Sequence, residues 1–333
     1  MTLTVGSSLV ERAERVSAVA AAHADDVDVK GRFPREAVDA MIAERLLSIQ
    51  IPAALGGEGC SLSEIAEVCS LLGQGCSAAA MIFAMHHIKL SSLVTHGQDS
   101  AWHAAFMRRV ADGQLLLGSA TTEGGIGGNL RNSICAIEVE GDTCRLTKDA
   151  TVISYGAEAD AILITSRAHA DAASTDQVMT VFTKDQYTLE RTHVWDTLGM
   201  RGTCSDGWLF KGEAPKAQIF PKPFAEIAAQ SMLATSHLLW SAVWYGIAVN
   251  AVARAQAFVR AAARKSPGVT PPGALRLAEA SNLLQLVKSN TIAGLREYEA
   301  AKADPDKLSS MGFAVAMNNV KIASSETILS IIN

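Results

Sequence analysis

The spacing of apolar positions changes twice along the chain. Up to about residue 111 apolar residues recur every three or four positions, which predicts amphipathic helices at 8–24, 34–45, 61–73, 77–95 and 99–111. The next apolar runs are short, rich in β-branched residues and separated by turn residues, which predicts strands at 133–140, 143–148, 161–166, 177–183, 187–191 and 207–210. The helical spacing then returns and predicts helices at 226–265, 274–303 and 307–333.

This order predicts a mostly α-helical fold with a small central β-barrel or sandwich. We expect a helical amino-terminal domain over 1–117, a β-barrel domain over 118–222 and a carboxy-terminal helical bundle over 223–333. Six closely spaced short strands favour a compact antiparallel arrangement. The apolar stripe of the last helix still runs at Ile332. We therefore expect the bundle to be incomplete, with at least one more element beyond Asn333.

Composition narrows the classes of function. The chain has 333 residues, 49% of them hydrophobic, and a net charge of −5 without a basic stripe. Nucleic acid and anionic membranes are therefore not expected partners. No apolar run looks long enough for membrane insertion and no signal pattern opens the chain, which favours the cytoplasm. The six cysteines form no C-x-x-C pair, and the clustered histidines have no acidic partner motif, so no metal site is expected.

The seam between the helical and β patterns carries the candidate chemistry. Thr121, Thr122 and Glu123 precede four glycines in the five positions 124–128. Glycines let the backbone approach a ligand and adopt positive φ, so that successive N–H groups converge on an anion. A plain surface loop between domains has the same composition, and that alternative stays open.

Five motifs stand in order around this seam. They are Gly31-Arg32-Phe33-Pro34 with Leu55-Gly56-Gly57-Glu58-Gly59, Thr122-Glu123-Gly124-Gly125-Ile126-Gly127-Gly128-Asn129, Val152-Ile153-Ser154-Tyr155-Gly156, Leu198-Gly199-Met200-Arg201-Gly202-Thr203-Cys204-Ser205, and Ala263-Arg264-Lys265-Ser266-Pro267-Gly268. Together with the order of elements, they resemble the acyl-CoA dehydrogenase family over nearly the whole chain. Gly124, Gly128, Asn129, Val152 and Pro267 depart from the family pattern, which indicates a divergent branch.

The resemblance implies an FAD held between the barrel and the carboxy-terminal helices. Thr121 and Thr122 would donate to the pyrimidine end of the flavin, with Ile153 and Ser154 beside the ring and Ser154 near N5. Gly127 and Gly128 would lie near the pyrophosphate or the pantetheine arm of the substrate. Arg264 and Ser266 would reach the FAD of a neighbouring subunit, in a tetramer or dimer. The alternatives are strand threonines with satisfied hydroxyls and an arginine that compensates a helix dipole.

The family reaction removes a proton from the α-carbon of an acyl thioester and a hydride from the β-carbon to flavin N5. The base is a carboxylate. Most members carry it near the carboxyl terminus, which here means beyond Asn333. In other members the position is that of Ser236, which cannot act as the base. The neighbouring His237 is either a polar group near the thioester or an ordinary helix histidine.

The resemblance therefore implies FAD-dependent α,β-dehydrogenation of an acyl-CoA or an acyl-carrier-protein thioester, with electrons passed to an electron-transfer flavoprotein. Two alternatives remain. One is a flavin-dependent monooxygenase on the same fold, supplied by a partner reductase and needing no carboxylate base. The other is a non-catalytic scaffold that has lost the flavin.

Overall fold

A computed structural model describes residues 8–126 and 129–333, so two expected site residues, Gly127 and Gly128, lie outside the described part. The helices are α1 (Leu9–Lys30), α2 (Arg35–Ala43), α3 (Leu62–Gly75), α4 (Ser77–His96), α5 (Ala101–Gly113), α6 (Phe224–Ile227), α7 (Leu233–Lys265), α8 (Ala274–Ala301), α9 (Pro305–Ser309) and α10 (Met311–Ile332). The strands are β1 (Leu117–Ala120), β2 (Glu138–Glu140), β3 (Thr143–Ala150), β4 (Ala161–Arg167), β5 (Gln177–Thr183), β6 (Tyr187–His193) and β7 (Gly207–Pro215). A helical region, a β region and a second helical region follow one another, as predicted.

The amino-terminal helices begin where the sequence provides caps. Ser8 and Glu11 form a capping box at the start of α1, and Ser61 and Glu64 form another at α3. The first helix is longer than predicted and ends at Gly31, whose φ of 58° suits a glycine after a helix. Helix α4 is almost entirely buried, because it packs between the other helices and the β region.

The β region consists of two sheets. One has the order β2-β3-β7-β6 and is antiparallel. The other has the order β1-β4-β5, in which β4 pairs antiparallel with β5 but β1 pairs parallel with β4. The strands predicted from the sequence thus pair antiparallel, whereas β1, which was not predicted as a strand, adds a parallel pairing. The ring centroids of Phe182 and Phe210 lie 5.1 Å apart, edge to face, so side chains of β5 and β7 meet between the sheets.

The carboxy-terminal bundle is built on α7. A π-helical segment, Ala228–Met232, joins α6 to α7 without a break. Helices α8 and α10 pack on α7. The last predicted helix, 307–333, is in fact two helices, because the Ser310 hydroxyl accepts from Phe313 N and starts α10 as a new helix.

The two helical regions are joined where α3 crosses α7. A Cβ atom at Gly73 would lie 2.7 Å from the Val243 carbonyl oxygen, and one at Gly246 would lie 2.1 Å from the Ser70 carbonyl oxygen. Asn250 Nδ2 donates to Gln74 O at 2.7 Å across the same crossing. Only glycine at both positions lets the backbones approach this closely.

Two helical stretches meet the length and composition of a membrane span, which the sequence analysis did not anticipate. They are Ser77–His96 and the continuous run Phe224–Lys265. In Ser77–His96, 78% of the most apolar window is buried inside the fold, and in Phe224–Lys265 the share is 56%. Core helices of globular proteins have the same character, so this is weak grounds for membrane insertion.

Candidate active site

Glu123 fixes the start of the glycine loop to the β region. Its carboxylate is 6% exposed and accepts from Cys135 N at 2.6 Å, Ile134 N at 3.0 Å and Ser133 Oγ at 2.9 Å. Burial tends to raise the pKa of this carboxyl group, but the two backbone donors and the nearby Lys148 ammonium outweigh burial and hold the pKa below its ordinary value. Glu123 is therefore an ionised structural anchor.

Lys148 on β3 is the partner of this carboxylate. Its Nζ lies 3.8 Å from Glu123 Oε2 and donates to the Thr165 carbonyl at 2.7 Å, and its side chain is fully buried. Burial lowers the pKa of the Lys148 ammonium, while Cys135 and Glu123 act in the opposite direction. The pair joins the glycine loop to β3 and β4 inside the sheet packing. The sequence analysis did not identify this partner.

The loop next approaches the segment that follows β3. Thr122 Oγ1 lies 3.4 Å from the Val152 carbonyl oxygen, and Gly124 N donates to Asp149 O at 3.2 Å. Gly125 has φ of 89°, a backbone conformation that favours glycine over residues with a side chain. Thr121 and Thr122 are half-buried. Two stretches separated by about thirty residues thus form one wall.

Ser154 ends a chain of three hydroxyl groups. Its Oγ lies 2.8 Å from Ser205 Oγ, which lies 2.8 Å from Thr203 Oγ1. Thr203 Oγ1 donates to the Met200 carbonyl at 2.9 Å, which uses its only proton. Ser205 must then donate to Thr203, and Ser154 must donate to Ser205. The half-buried Ser154 oxygen is left with lone pairs to offer a ligand.

Two strained backbone positions hold this chain in place. Tyr155 and Cys204, next to Ser154 and Ser205, both have φ of 43°, where a side chain is unfavourable. Tyr155 is buried, its hydroxyl donates to Leu117 O at 2.9 Å, and its N–H donates to Thr203 O at 2.8 Å. The buried Ile153 donates through its N–H to Asp206 O at 2.9 Å. Strain of this kind persists where the surroundings over-determine the backbone, as at binding sites.

The side chains of this wall suit the flavin expected from the sequence. Thr121, Thr122 and Ser154 place half-buried hydroxyls on adjoining stretches, and the buried groups behind them keep those stretches fixed. A flavin ring presents both donors and acceptors along its polar edge, which hydroxyl groups can satisfy. Within residues 8–126 and 129–333, no group of three His, Cys, Asp or Glu side chains could hold a metal ion.

Ser236 and His237 lie near the start of α7. Ser236 is 8% exposed, and its Oγ donates to Leu233 O of the same helix at 2.8 Å. Burial and Lys321 lower the pKa of His237 to about 4, with the Met317 carbonyl opposing, so its imidazole is neutral and sits beside α10. Its Nδ1 is buried without a hydrogen-bond partner among the described residues. The structure thus gives Ser236 a helix-bound hydroxyl.

Arg264 and Ser266 lie at the opposite end of the same helix. Helix α7 has 33 residues, and both side chains are exposed at its carboxyl end. A helix of that length spans about 50 Å, so these two residues lie far from Ser236 and His237. Both side chains are accessible to another molecule.

The clustered histidines are core residues. His86 Nε2 contacts Leu47 O at 2.6 Å, its Nδ1 accepts from Leu117 N at 3.0 Å, and burial lowers its pKa to about 4. His87 and His103 are fully buried as well. His86 therefore ties α4 to the start of β1, just before the glycine loop.

The chain is similar in sequence to one protein family and to two characterised enzymes. Residues 9–114 match the profile of the acyl-CoA dehydrogenase N-terminal domain. A cyclohex-1-ene-1-carbonyl-CoA dehydrogenase of Syntrophus aciditrophicus is 26% identical over 192 residues, covering 57% of this chain and 46% of that protein. The Geobacter metallireducens enzyme of the same name is 25% identical over 232 residues, covering 68% of this chain and 60% of that protein. The chain thus spans about half the length of these two relatives.

Solved structures share the fold. FMN-bound TdsC of Paenibacillus sp. A11-2, a dibenzothiophene monooxygenase, has a TM-score of 0.82 at 17% identity and covers 98% of this chain and 87% of that one. The methanesulfinate monooxygenase MsuC of Pseudomonas fluorescens has a TM-score of 0.80 at 17% identity and covers 98% of this chain and 85% of that one. At such identities the likeness establishes the fold.

Proposed function

We propose that this chain, which is a divergent member of the acyl-CoA dehydrogenase family, is a flavin-dependent oxidoreductase that α,β-dehydrogenates an acyl thioester. The observation that carries the proposal is the wall in which the Glu123-anchored loop meets the segment of Ser154. The names of the two relatives supply the reaction class, because both are dehydrogenases of a CoA thioester. The substrate is an acyl-CoA or an acyl-carrier-protein thioester.

The cofactor proposed is FAD. Thr121 and Thr122 would bind the ring through their N–H and hydroxyl groups, and Ile153 and Ser154 would lie beside it. The exposed guanidinium of Arg264, with Ser266, suits the diphosphate of an FAD held by a neighbouring subunit, which also supports a homo-oligomer. The alternative flavin is FMN, which is bound in the structure of TdsC. Release of the cofactor by heat and its separation from FMN standards would decide between the two flavins.

The residues of the wall would prepare the site for reduction. A bound flavin supplies the acceptor for the hydride of the substrate. The hydroxyl chain leaves Ser154 as a hydrogen-bond acceptor, which suits a ring N–H of the reduced cofactor. Thr121 and Thr122 would donate where negative charge accumulates on the ring. Electron-transfer flavoprotein is the proposed acceptor of the electrons, and the cytoplasm is the proposed location.

The deciding experiment is the visible spectrum of the purified protein before and after anaerobic addition of acyl-CoAs. A yellow protein that bleaches supports the dehydrogenase. A protein that stays oxidised with every acyl-CoA and acyl-carrier-protein thioester contradicts it. A colourless protein that takes up no added FAD contradicts any flavoenzyme and leaves the scaffold.

A flavin-dependent monooxygenase is the second candidate. It needs no carboxylate base, and the Ser236 hydroxyl at the alternative base position is engaged with its own helix. TdsC and MsuC, which share the fold, are both monooxygenases. The two functions differ in their reaction with oxygen. Rapid mixing of the chemically reduced flavoprotein with oxygen would give an oxygenated flavin spectrum before reoxidation in a monooxygenase, and direct reoxidation in a dehydrogenase.

A further inference from the structure

Lys89 is a buried cation without a charge partner among the residues that the structure describes. It lies on α4 and is 5% exposed, and its Nζ has one polar contact in the described chain, Met232 Sδ at 3.1 Å. None of the described carboxylates lies within 4 Å of it. Burial, with no charged neighbour contributing, lowers the pKa of Lys89 to about 8. An ammonium in such surroundings lacks the hydrogen bonds that it had in water.

Lys89 follows a half-buried methionine on α4. Ser77, Met81 and Met85 are half-buried, whereas the described residues between them are buried. Positions four apart are neighbours on a helix but turn by about 40° at each step, so Met85 adjoins Lys89 whereas Ser77 lies about 120° around the helix from it. Methionine side chains are apolar and adaptable, which suits contact with a flexible chain. Met85 therefore places a half-buried apolar side chain next to the buried cation.

The side of α4 that carries Lys89 faces elements of the candidate site. Gly202, beside Thr203, lies so close that a Cβ there would be 3.0 Å from Ala78 Cβ. His86 binds Leu117 N at the start of β1, and Ser92 Oγ lies 3.4 Å from Ser231 Oγ of the π-helical segment. At about 100° per residue, Lys89 projects between the directions of His86 and Ser92. Its ammonium therefore lies between β1 and the π-helical segment.

We propose that Lys89 forms the closed end of the substrate site and binds a carboxylate at the far end of the acyl chain. The inference rests on the proposed function, since it takes the substrate to be an acyl thioester. A buried ammonium with no protein anion gains most when the ligand brings the opposite charge, because the resulting bond is charge-assisted and shielded from water. A plain alkyl end would leave the ammonium unpaired. The substrate class is thus an ω-carboxyacyl thioester.

The test compares affinities by isothermal titration calorimetry, under anaerobic conditions, in the flavin-loaded protein whose flavin has first been chemically reduced, so that no dehydrogenation takes place. The probes are length-matched pairs of CoA thioesters: succinyl and butanoyl, glutaryl and pentanoyl, adipoyl and hexanoyl. We expect at least one carboxylated member to bind about tenfold to a hundredfold more tightly than its plain partner. Equal or weaker binding of the carboxylated member in every pair would overturn the inference alone. If no thioester binds, the proposed function falls as well.

Substitutions at Lys89 test whether this residue causes the preference for the carboxylated thioester. Lys89→Met keeps the length of the side chain but removes the charge, so it should abolish the preference for the carboxylated thioester. Lys89→Arg should retain it, because the charge remains. Lys211→Met, the same change at an exposed lysine on β7, is the matched control and should also retain it. A preference that survives in Lys89→Met would assign the carboxylate to another residue. Thermal unfolding of each variant checks that it is folded.

Discussion

The two buried lysines of this chain have opposite surroundings. Lys148 lies inside the β region with the Glu123 carboxylate and the Thr165 carbonyl beside it. Lys89 lies inside the helical region with a methionine sulfur. Both are nearly inaccessible to solvent, so burial alone does not distinguish them. Their partners do: Lys148 completes an internal ion pair, whereas Lys89 keeps an unsatisfied charge. A fold retains an unsatisfied charge where function requires it, because removal would stabilise the protein.

The largest expected effect comes from Lys148. Lys148→Met should lower the free energy of unfolding by about 3 kcal/mol, since it leaves Glu123 buried without an opposite charge. Urea unfolding measures this change. Glu123→Gln combined with Lys148→Met should be less destabilising than the sum of the single changes, because the pair is then removed together. A loss below about 1 kcal/mol for Lys148→Met would mean that the ion pair with Glu123 stabilises the fold only weakly.

At Lys89 we expect the change in the free energy of unfolding to have the opposite sign. Lys89→Met should raise the free energy of unfolding by about 2 kcal/mol at pH 7, because a cation without a partner leaves the core. Lys211→Met, at an exposed position on β7, is the control and should change stability by less than about 0.5 kcal/mol. Destabilisation by Lys89→Met would mean that the ammonium has a stabilising partner in the folded protein.

The stabilisation by Lys89→Met should also depend on pH. The folded pKa of Lys89 is about 8, against about 10.4 in an unfolded chain. Between these values the unfolded state binds more protons, so wild-type stability from this group rises with pH. The advantage of Lys89→Met should therefore be full below pH 8 and nearly gone above about pH 10.5. Denaturant titrations of both proteins from pH 7 to 10.5 give the difference. If the difference in free energy of unfolding between Lys89→Met and the wild type did not change with pH, Lys89 would not titrate in this range.

The smallest expected effect concerns the hydroxyl chain. Ser205→Ala frees the Ser154 hydroxyl to donate, so the site should favour the reduced flavin less. We expect the two-electron potential to fall by about 20 mV, equivalent to about 1 kcal/mol. Spectroelectrochemistry of the flavin-loaded protein measures it. Ser166→Ala removes a buried hydroxyl on β4 that has no partner among the described residues, and should leave the potential unchanged. A rise in potential for Ser205→Ala would contradict the inferred direction of the chain.

Local signals in the sequence predicted much of the fold. The capping boxes at Ser8 and Ser61 and the strand spacing from β3 to β7 are properties of neighbouring residues. Strand β1 was missed, because its four residues pair only with β4, more than forty positions away. The division of the last helix at Ser310 was missed as well, since the apolar periodicity continues through it.

The site was predicted in outline rather than in detail. The motif spacing joined the Thr122 loop to the Ser154 segment, and the structure places them together. It did not reveal the ion pair between Glu123 and Lys148, because that contact depends on where the folded loop lies relative to β3. Lys89 had a signal in the sequence, a single lysine within the apolar stretch 78–90. Whether such a lysine has a charged partner depends on residues that are distant in the sequence, and the one that contacts Lys89, Met232, is more than a hundred positions away.

The close crossing of α3 and α7 bears on the order in which the chain folds during synthesis. Gly73 meets Gly246 only after some 170 further residues have been translated, about 9 to 35 s at ordinary elongation rates. Until then α3 lacks α7, although α1 and α4, on which it also packs, are made just before and just after it. The β region, whose strands pair among themselves, emerges in this interval. The surface of α3 that packs on α7 therefore stays uncovered longer than the surfaces within the β region, and it offers a nascent-chain chaperone a place to bind.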